Sequence, residues 1–131
     1  MSMSDNIADT LTRIRNGQRA ELETVDVFQN GIIEQILGLL KSEGFIANFI
    51  PFKDGSKSMI KVELKYYRNT PVIRGLERVS KPGRRVYRAC SEIRPALNNI
   101  GMHIFSTSKG VITGKEAKNL NVGGEYICKV W

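Results

Sequence analysis

Apolar side chains recur at helical spacing near the start of the chain. Ile7, Leu11 and Ile14 stand three or four positions apart and therefore share one face of a helix. The pattern begins near Asp5 and stops at residues 16–17, where an Asn-Gly pair predicts the end of the helix. A short strand is predicted next, at residues 25–28.

A second helix is predicted from Asn30, whose side chain suits a helix N-cap. Its apolar arc consists of Ile32, Ile33, Ile36, Leu37, Leu39 and Leu40. An arc of this width predicts burial on more than one side of the helix. Gly44 is the type of residue that commonly follows the end of a helix.

Period-two alternation then predicts an antiparallel hairpin. Residues 45–52 and 59–67 form its strands, and residues 54–56 form its turn. In the second strand Ile60, Val62 and Leu64 alternate with charged side chains, which is typical of a half-buried strand. The first part of the chain is therefore predicted to be a small α/β domain of helix, strand, helix and hairpin.

The pattern changes after residues 69–71. Strands are predicted at residues 72–80, 85–88, 102–105 and 125–131, a turn at 81–83, a polar loop at 106–110, and short helices at 92–100 and 113–121. Thr113 and Glu116 form a capping box for the last helix. We therefore predict an α/β (α+β) fold, with an N-terminal α/β domain at residues 1–70 and a mainly β domain at residues 71–131.

Positive charge is concentrated in the second of these domains. The chain has a net charge of +7. Residues 1–70 contain nine Lys/Arg and nine Asp/Glu, whereas residues 71–131 contain eleven Lys/Arg and four Asp/Glu. A polyanionic partner is the simplest reason for so one-sided a distribution, and a basic face exposed to water without a partner is the alternative.

The composition disfavours several classes of protein. No run approaches the ~20 apolar residues of a membrane helix, and signal-peptide features are missing, so a cytoplasmic protein is expected. Cys90 and Cys128 are too few and too far apart for a disulfide framework. Because His103 is the one histidine, a zinc site would be short of ligands. We therefore expect reduced cysteines, no metal and no cofactor.

Candidate catalytic groups are also few. Asp5 and Asp9 stand one helical turn apart, but no further carboxylate or histidine has a supporting spacing. Nothing in the sequence marks a base for Cys128. Residues 110–116 (GVITGKE) resemble a phosphate-binding loop, but they are one residue too short and Glu116 occupies the position of the required hydroxyl. We therefore predict that the chain is not an enzyme.

A basic hairpin at residues 78–88 (RVSKPGRRVYR) favours RNA binding. Its candidate contacts are Lys81, Arg84, Arg85, Arg88 and Tyr87. Guanidinium groups can lie along phosphates while an aromatic ring packs on a ribose or base. The alternative is a basic hairpin facing water, with Tyr87 in the core.

Two further segments combine hydroxyls, glycines and an acid. The candidate contacts are Ser106, Thr107, Ser108, Lys109 and Gly110 in one segment, and Gly123, Gly124 and Glu125 in the other. Hydroxyls and free amides can bind base edges, phosphates and 2′-hydroxyls, and Glu125 can accept from an amine or a hydroxyl. An ordinary serine–threonine turn and an ordinary Gly-Gly turn are the alternatives.

Five ordered motifs along the whole chain resemble the small-subunit ribosomal protein S-eight family of the bacterial type. They are residues 5–17 (DNIADTLTRIRNG), 43–46 (EGFI), 78–87 (RVSKPGRRVY), 106–110 (STSKG) and 123–125 (GGE), and the chain ends in a bacterial-style CKVW. Two positions depart from the family pattern. Residues 30–33 replace a usual polar, basic segment, and Gly114 replaces a common aspartate.

The resemblance implies a non-enzymatic constituent of the small ribosomal subunit. Such a protein binds the central domain of small-subunit ribosomal RNA early in assembly and lies beside other small-subunit proteins. The resemblance also suggests binding to the messenger of its own operon, as a translational repressor. The implied RNA grip consists of Tyr87, Ser106, Thr107, Ser108, Lys109, Gly124 and Glu125. A second implied RNA-facing surface consists of Asp5, Thr12, Arg15 and Asn16, and Asn30 is a further candidate.

Two rival functions remain open from the sequence. A small RNA-processing nuclease would need a base, a nucleophile or metal ligands on the basic face, where Glu125 is the one acid near the expected grip. A protein-docking module would bind another ribosomal protein without RNA affinity and without salt dependence.

Overall fold

The structure is a computed structural model that describes residues 5–94 and 101–131. Its helices are α1 (Asn6–Arg19), α2 (Gly31–Ser42) and α3 (Gly114–Leu120), with a 3-10 turn at Cys90–Glu92. Its strands are β1 (Thr24–Phe28), β2 (Ile46–Asp54), β3 (Lys57–Leu64), β4 (Tyr66–Tyr67), β5 (Thr70–Pro71), β6 (Leu76–Arg78), β7 (Tyr87–Arg88), β8 (Met102–Thr107), β9 (Gly110–Thr113) and β10 (Gly124–Val130). The predicted α+β fold class is confirmed.

The chain divides into two compact units. The N-terminal unit contains Asn6–Arg74, and the C-terminal unit contains Asp5 and the described residues of Gly75–Trp131. In sequence the division lies between Arg74 and Gly75, whereas the sequence pattern placed a boundary at residues 69–71.

The N-terminal unit is built on an antiparallel sheet with the strand order β1-β3-β2. Alternation along β1 and β3 buries Val27, Ile60 and Val62, and Val27 lies directly opposite Ile60. Helix α1 contacts β1 and β3, and α2 contacts β2. The helices contribute buried side chains at Leu11, Ile14, Ile33, Ile36, Leu37 and Leu40.

Local chemistry determines both ends of α2. The Asn30 side chain accepts a hydrogen bond of 2.8 Å from the amide of Ile32, so the predicted N-cap is confirmed. At the other end the amide of Phe45 donates to the carbonyl of Leu40 over 2.8 Å. This bond satisfies a carbonyl that the helix itself leaves without a partner.

The predicted end of α1 at residues 16–17 is wrong, because the helix continues to Arg19. Gly17 is buried inside the helix, and a Cβ at this position would lie 2.3 Å from Cγ1 of Val25. The glycine therefore permits close approach of α1 and β1 instead of ending the helix. The buried face is also wider than predicted, because it includes Thr10 and Gln18.

The C-terminal unit is built around β10. Its sheet has the order β6-β10-β8-β9, and β7 also pairs with β10. A small apolar core lies on one face, with Ile93, Phe105, Ile112 and Ala117 buried and Val122 and Tyr126 packed against them. Helix α3 contacts β8 and β9, and the Thr113 hydroxyl caps it by accepting from the amide of Glu116 over 3.1 Å.

Several predicted boundaries in this second part of the chain are wrong. The strand predicted at residues 72–80 is limited to Leu76–Arg78. The loop predicted at residues 106–110 is mostly strand, because Ser106 pairs with Val111 and Thr107 pairs with Gly110. Of the helix predicted at residues 92–100, Glu92 ends the 3-10 turn, Ile93 and Arg94 are not helical, and residues 95–100 lie outside the described part of the chain.

Two helical glycines give a matched test of this packing. Gly38→Ala should stabilise the protein by about 0.5–1 kcal/mol, because a Cβ there meets nothing within 4 Å and alanine favours helix. Gly17→Ala should destabilise it by about 1–3 kcal/mol, because the new methyl group overpacks the contact with β1. Urea unfolding measures both changes. Equal stabilisation by the two substitutions would contradict the assigned close contact.

Candidate nucleic-acid interface

Strand β10 brings together three of the segments that the sequence singled out. Glu125 pairs with Tyr87 on β7 and with Ser106 on β8. Gly124 pairs with Arg88 and Thr107 on the same two strands. Neighbouring strands lie about 4.8 Å apart, so backbone pairing alone places these residues side by side.

Directly paired residues project their side chains to the same face of a sheet. Tyr87, Glu125 and Ser106 therefore form one row across three strands, which we call the interface row. The adjacent positions Phe105 and Tyr126 belong to the opposite face, where their stacked rings lie 4.7 Å apart in the apolar core. The Tyr87 side chain is 64% exposed, so the expectation of a solvent-facing ring is met and the core alternative for Tyr87 is excluded.

The Glu125 carboxylate is held by two neighbours. Its Oε2 atom accepts a hydrogen bond of 2.5 Å from the Ser80 hydroxyl and one of 3.1 Å from Nη1 of Arg85. Ser80 was not among the predicted site residues, because its partner Glu125 lies far along the chain. Among the described residues no bond to Oε1 of Glu125 is formed, so this oxygen remains available as an acceptor.

The basic hairpin has a tight turn at its tip. Lys81 and Arg84 exchange two backbone hydrogen bonds of 2.9 and 3.0 Å, which confirms the predicted turn. Lys81, Arg84 and Arg88 are exposed, and they form no ion pair within residues 5–94 and 101–131. Their charges are therefore available to an anionic partner.

The turn between β8 and β9 consists of Ser108 and Lys109, both exposed. The Thr107 hydroxyl donates to the carbonyl of Gly110 over 3.0 Å and accepts from the amide of Lys109 over 3.0 Å. Thr107 thus closes its own turn, as an ordinary serine–threonine turn does. The hydroxyls of Ser106 and Ser108 have no such bond to any described residue.

The two residues before Glu125 must be glycines because backbone atoms of neighbouring segments lie very close to them. A Cβ on Gly123 would lie 2.4 Å from the carbonyl oxygen of Arg88, and one on Gly124 would lie 2.2 Å from that of Ser106. Both distances are far inside van der Waals contact. The two glycines therefore allow close packing of β7 and β8 against β10. The space beside them, where a side chain would lie, is filled by the backbone of these strands.

Helix α1 carries other predicted contacts. Thr12 and Asn16 are exposed one helical turn apart, and Arg15 is half-buried. The neighbouring Arg13 is already engaged, because it lies 3.0 Å from Asp9 and its guanidinium lies 5.0 Å from the ring centre of Phe28.

Asp5 also has an internal partner. Its carboxylate accepts from Nε of Arg78 over 3.1 Å, and Nη1 of Arg78 donates to the carbonyl of Ile127 over 2.7 Å. The Arg78 side chain is 8% exposed. This pair is therefore part of the packing of the C-terminal unit.

The groups considered for catalysis have ordinary packing roles. Burial raises the pKa of the Cys128 thiol to about 12, so the thiol stays protonated at neutral pH. Burial likewise raises the pKa of Tyr126 to about 12, and the Tyr126 hydroxyl is hydrogen-bonded to Nδ1 of His103. Within the described part of the chain, no group of three His, Cys, Asp or Glu residues is placed to hold a metal ion.

Comparison with known proteins identifies the family. The sequence profile described as Ribosomal protein S8 matches residues 5–131. The Small ribosomal subunit protein uS8 of Leptospira biflexa serovar Patoc (strain Patoc 1 / Ames) is 55% identical over 132 residues, which cover 100% of both chains. The protein of the same name from Clostridioides difficile (strain 630) is 47% identical over 132 residues and also covers 100% of both. That from Burkholderia mallei (strain SAVP1) is 50% identical over 130 residues, or 99% of both.

These matches span practically the whole chain and confirm the family that the sequence motifs suggested. The described helices include none that is long and apolar enough to cross a membrane. The chain therefore belongs to the Ribosomal protein S8 family, a family of structural, non-enzymatic proteins of the small ribosomal subunit.

Proposed function

We propose that this protein binds directly to the central domain of small-subunit ribosomal RNA and helps it to assemble. The observation that carries the proposal is the interface row, which places Tyr87, Glu125 and Ser106 side by side on one face of the sheet. Cations that form no ion pair with the described residues lie on the same strands and turns. RNA recognition needs both a surface for base edges or sugars and positive charge for phosphates.

Each member of the interface row offers a different interaction. The exposed ring of Tyr87 can stack on an unpaired base or pack on a ribose. The Ser106 hydroxyl can both donate and accept, and Oε1 of Glu125 can accept from a 2′-hydroxyl or an exocyclic amine. Irregular RNA, with unstacked bases and an accessible minor groove, presents these groups together.

Phosphate contacts are assigned to the cations around the row. Lys81, Arg84 and Arg88 on the hairpin and Lys109 in the β8–β9 turn form no ion pair with the described residues. The Ser108 hydroxyl and the Gly110 backbone complete this turn as further contacts. Contacts of this kind supply affinity and orientation without reading the sequence.

A second RNA contact is proposed on α1. Thr12 and Asn16 are exposed there beside Arg15, which agrees with the family resemblance of residues 5–17. Asn30 is occupied as a helix cap, so we expect its contribution to be indirect. Asp5 is bonded to Arg78, and we assign it a supporting role.

Two other partners follow from the same assignment. A ribosomal RNA-binding protein lies among neighbouring small-subunit proteins, and we propose such contacts without assigning a surface to them. An operon messenger that folds like the ribosomal RNA site would present the same groups to the interface row. We therefore propose repression of that messenger as a secondary role, exerted through the same residues.

The direct test is a binding titration at several salt concentrations, with a central-domain ribosomal RNA fragment and an unrelated RNA of equal length. Four available cations predict that log affinity falls with log salt at a slope of about −3. The ribosomal fragment should bind more tightly at every salt concentration. A flat salt response, or equal affinity for the two RNAs, would contradict the proposal.

Arg84 tests the phosphate contacts. Arg84→Ala should weaken binding to both RNAs and reduce the magnitude of the salt slope by about 0.7, the value of one contact. Lys57→Ala, which removes an exposed lysine at the start of β3, is the matched control and should leave both quantities unchanged. The assignment of Arg84 is wrong if the two variants behave alike.

Ser108 and Thr107 separate recognition from folding. Ser108→Ala should leave the unfolding free energy unchanged and cost about 1–3 kcal/mol of binding to the ribosomal fragment, with the salt slope unaltered. Thr107→Ala should destabilise the fold by about 0.5–1.5 kcal/mol, because its hydroxyl closes the turn. Chemical unfolding beside RNA titration measures both. If Ser108→Ala binds the ribosomal fragment as tightly as the wild-type protein does, the turn has a purely structural role.

A further inference from the structure

Ser80 is a fully buried polar residue at the base of the basic hairpin, with 0% of its surface exposed. Its hydroxyl donates to Oε2 of Glu125 and accepts from the amide of Val86 over 3.1 Å. A buried hydroxyl with both a donor and an acceptor bond satisfied is fixed in one orientation. The side chain therefore connects three segments of the C-terminal unit.

Backbone hydrogen bonds to β10 hold both sides of the hairpin next to Ser80. The carbonyl of Val86 accepts from the amide of Tyr126 over 2.8 Å, and the amide of Val79 donates to the carbonyl of Ile127 over 2.9 Å. Residues 81–85 thus project from a base whose two sides are both tied to β10. The Ser80 hydroxyl adds side-chain hydrogen bonds to these backbone contacts. It bonds to Val86 on the other side of the hairpin and to Glu125 in the interface row.

We propose that Ser80 is a positioning residue for RNA recognition, which acts by fixing the Glu125 carboxylate so that Glu125 in turn holds Arg85 beside the interface row. This inference rests on the proposed RNA-binding function of the row. Ser80 itself is too deeply buried to touch RNA, so its effect must pass through Glu125 and the hairpin. We call the Ser80–Glu125–Arg85 chain of contacts the latch.

The latch makes the two neighbouring arginines unequal. The Arg84 side chain has no ion pair with the described residues, whereas Nη1 of Arg85 lies 3.1 Å from the Glu125 carboxylate. The carboxylate offsets the Arg85 charge locally, so Arg85 contributes less than Arg84 to phosphate attraction. Its role under this proposal is to present a guanidinium at a fixed place, which favours one RNA geometry over others.

Three variants of the full-length chain test the latch, with affinity measured for both the ribosomal fragment and the unrelated RNA. Ser80→Ala should lower affinity for the ribosomal fragment about tenfold, the loss expected when one directed hydrogen bond to a charged group is removed. Affinity for the unrelated RNA and the salt slope should stay nearly constant. Ser42→Ala removes a serine hydroxyl that donates to a backbone carbonyl in α2, and it is the control.

Glu125→Gln is the second variant and keeps the shape of the side chain. It frees the Arg85 charge, so affinity for the unrelated RNA should rise and the salt slope should steepen by about 0.7. Preference for the ribosomal fragment should fall. A merely structural defect would not raise affinity for any RNA. The third variant combines Ser80→Ala with Glu125→Gln. Its loss of preference for the ribosomal fragment should be no greater than that of Glu125→Gln alone, because both changes break one chain of contacts.

Each outcome decides between distinct claims. If wild-type protein shows no preference for the ribosomal fragment, the proposed function fails and the latch fails with it. If wild-type protein has the preference and folded Ser80→Ala retains it, the latch alone is wrong. Losses that add in the double variant, or a Glu125→Gln variant with unchanged affinity for unrelated RNA, would also overturn the latch. If Ser80→Ala does not fold, the salt slope of Glu125→Gln is the deciding measurement. A slope steeper by about 0.7 supports the latch, and an unchanged slope contradicts it.

Discussion

Backbone pairing of β10 with β7 and β8 is the constraint on which the candidate interface depends. It places Glu125 opposite both Tyr87 and Ser106, residues whose segments are remote in sequence. The pairing requires Gly123 and Gly124, since any Cβ there would enter the space of the adjoining strands. The side chains that face a partner are thus arranged by a rigid sheet, which limits the entropy lost when a ligand is bound.

An acid at the centre of a basic surface needs a physical reason. The Arg85–Glu125 pair is partly exposed, and exposed pairs contribute only about 0–1 kcal/mol. The bond from buried Ser80 to the same carboxylate belongs to a stronger class, since hydrogen bonds to charged groups contribute about 1.5–3 kcal/mol. The hydroxyl therefore does more than the ion pair to fix Glu125. The acid also lowers local positive charge, which weakens indiscriminate attraction to phosphates.

Sequence reasoning succeeded where local chemistry decides the structure, as in the Asn30 cap, the Thr113 cap and the β2–β3 hairpin. It failed where distant contacts decide. Gly17 lies inside α1, where its close contact with β1 requires a glycine, and Ser106, Thr107 and Gly110 are paired as strands. Grouping Tyr87 with Glu125 came from the family resemblance, because strand register is not a local property. Ser80 was missed for the same reason, as its importance exists only once Glu125 lies beside it.

The central claim is that three segments of the C-terminal unit bind RNA as one surface. Mapping of backbone amide chemical shifts by NMR, as a central-domain ribosomal RNA fragment is added, tests it most directly. We expect the largest changes together at Tyr87, Ser106, Ser108 and Glu125, and small changes with unrelated RNA at the same salt concentration. Changes confined to residues 6–74, or changes of equal size with both RNAs, would contradict this account.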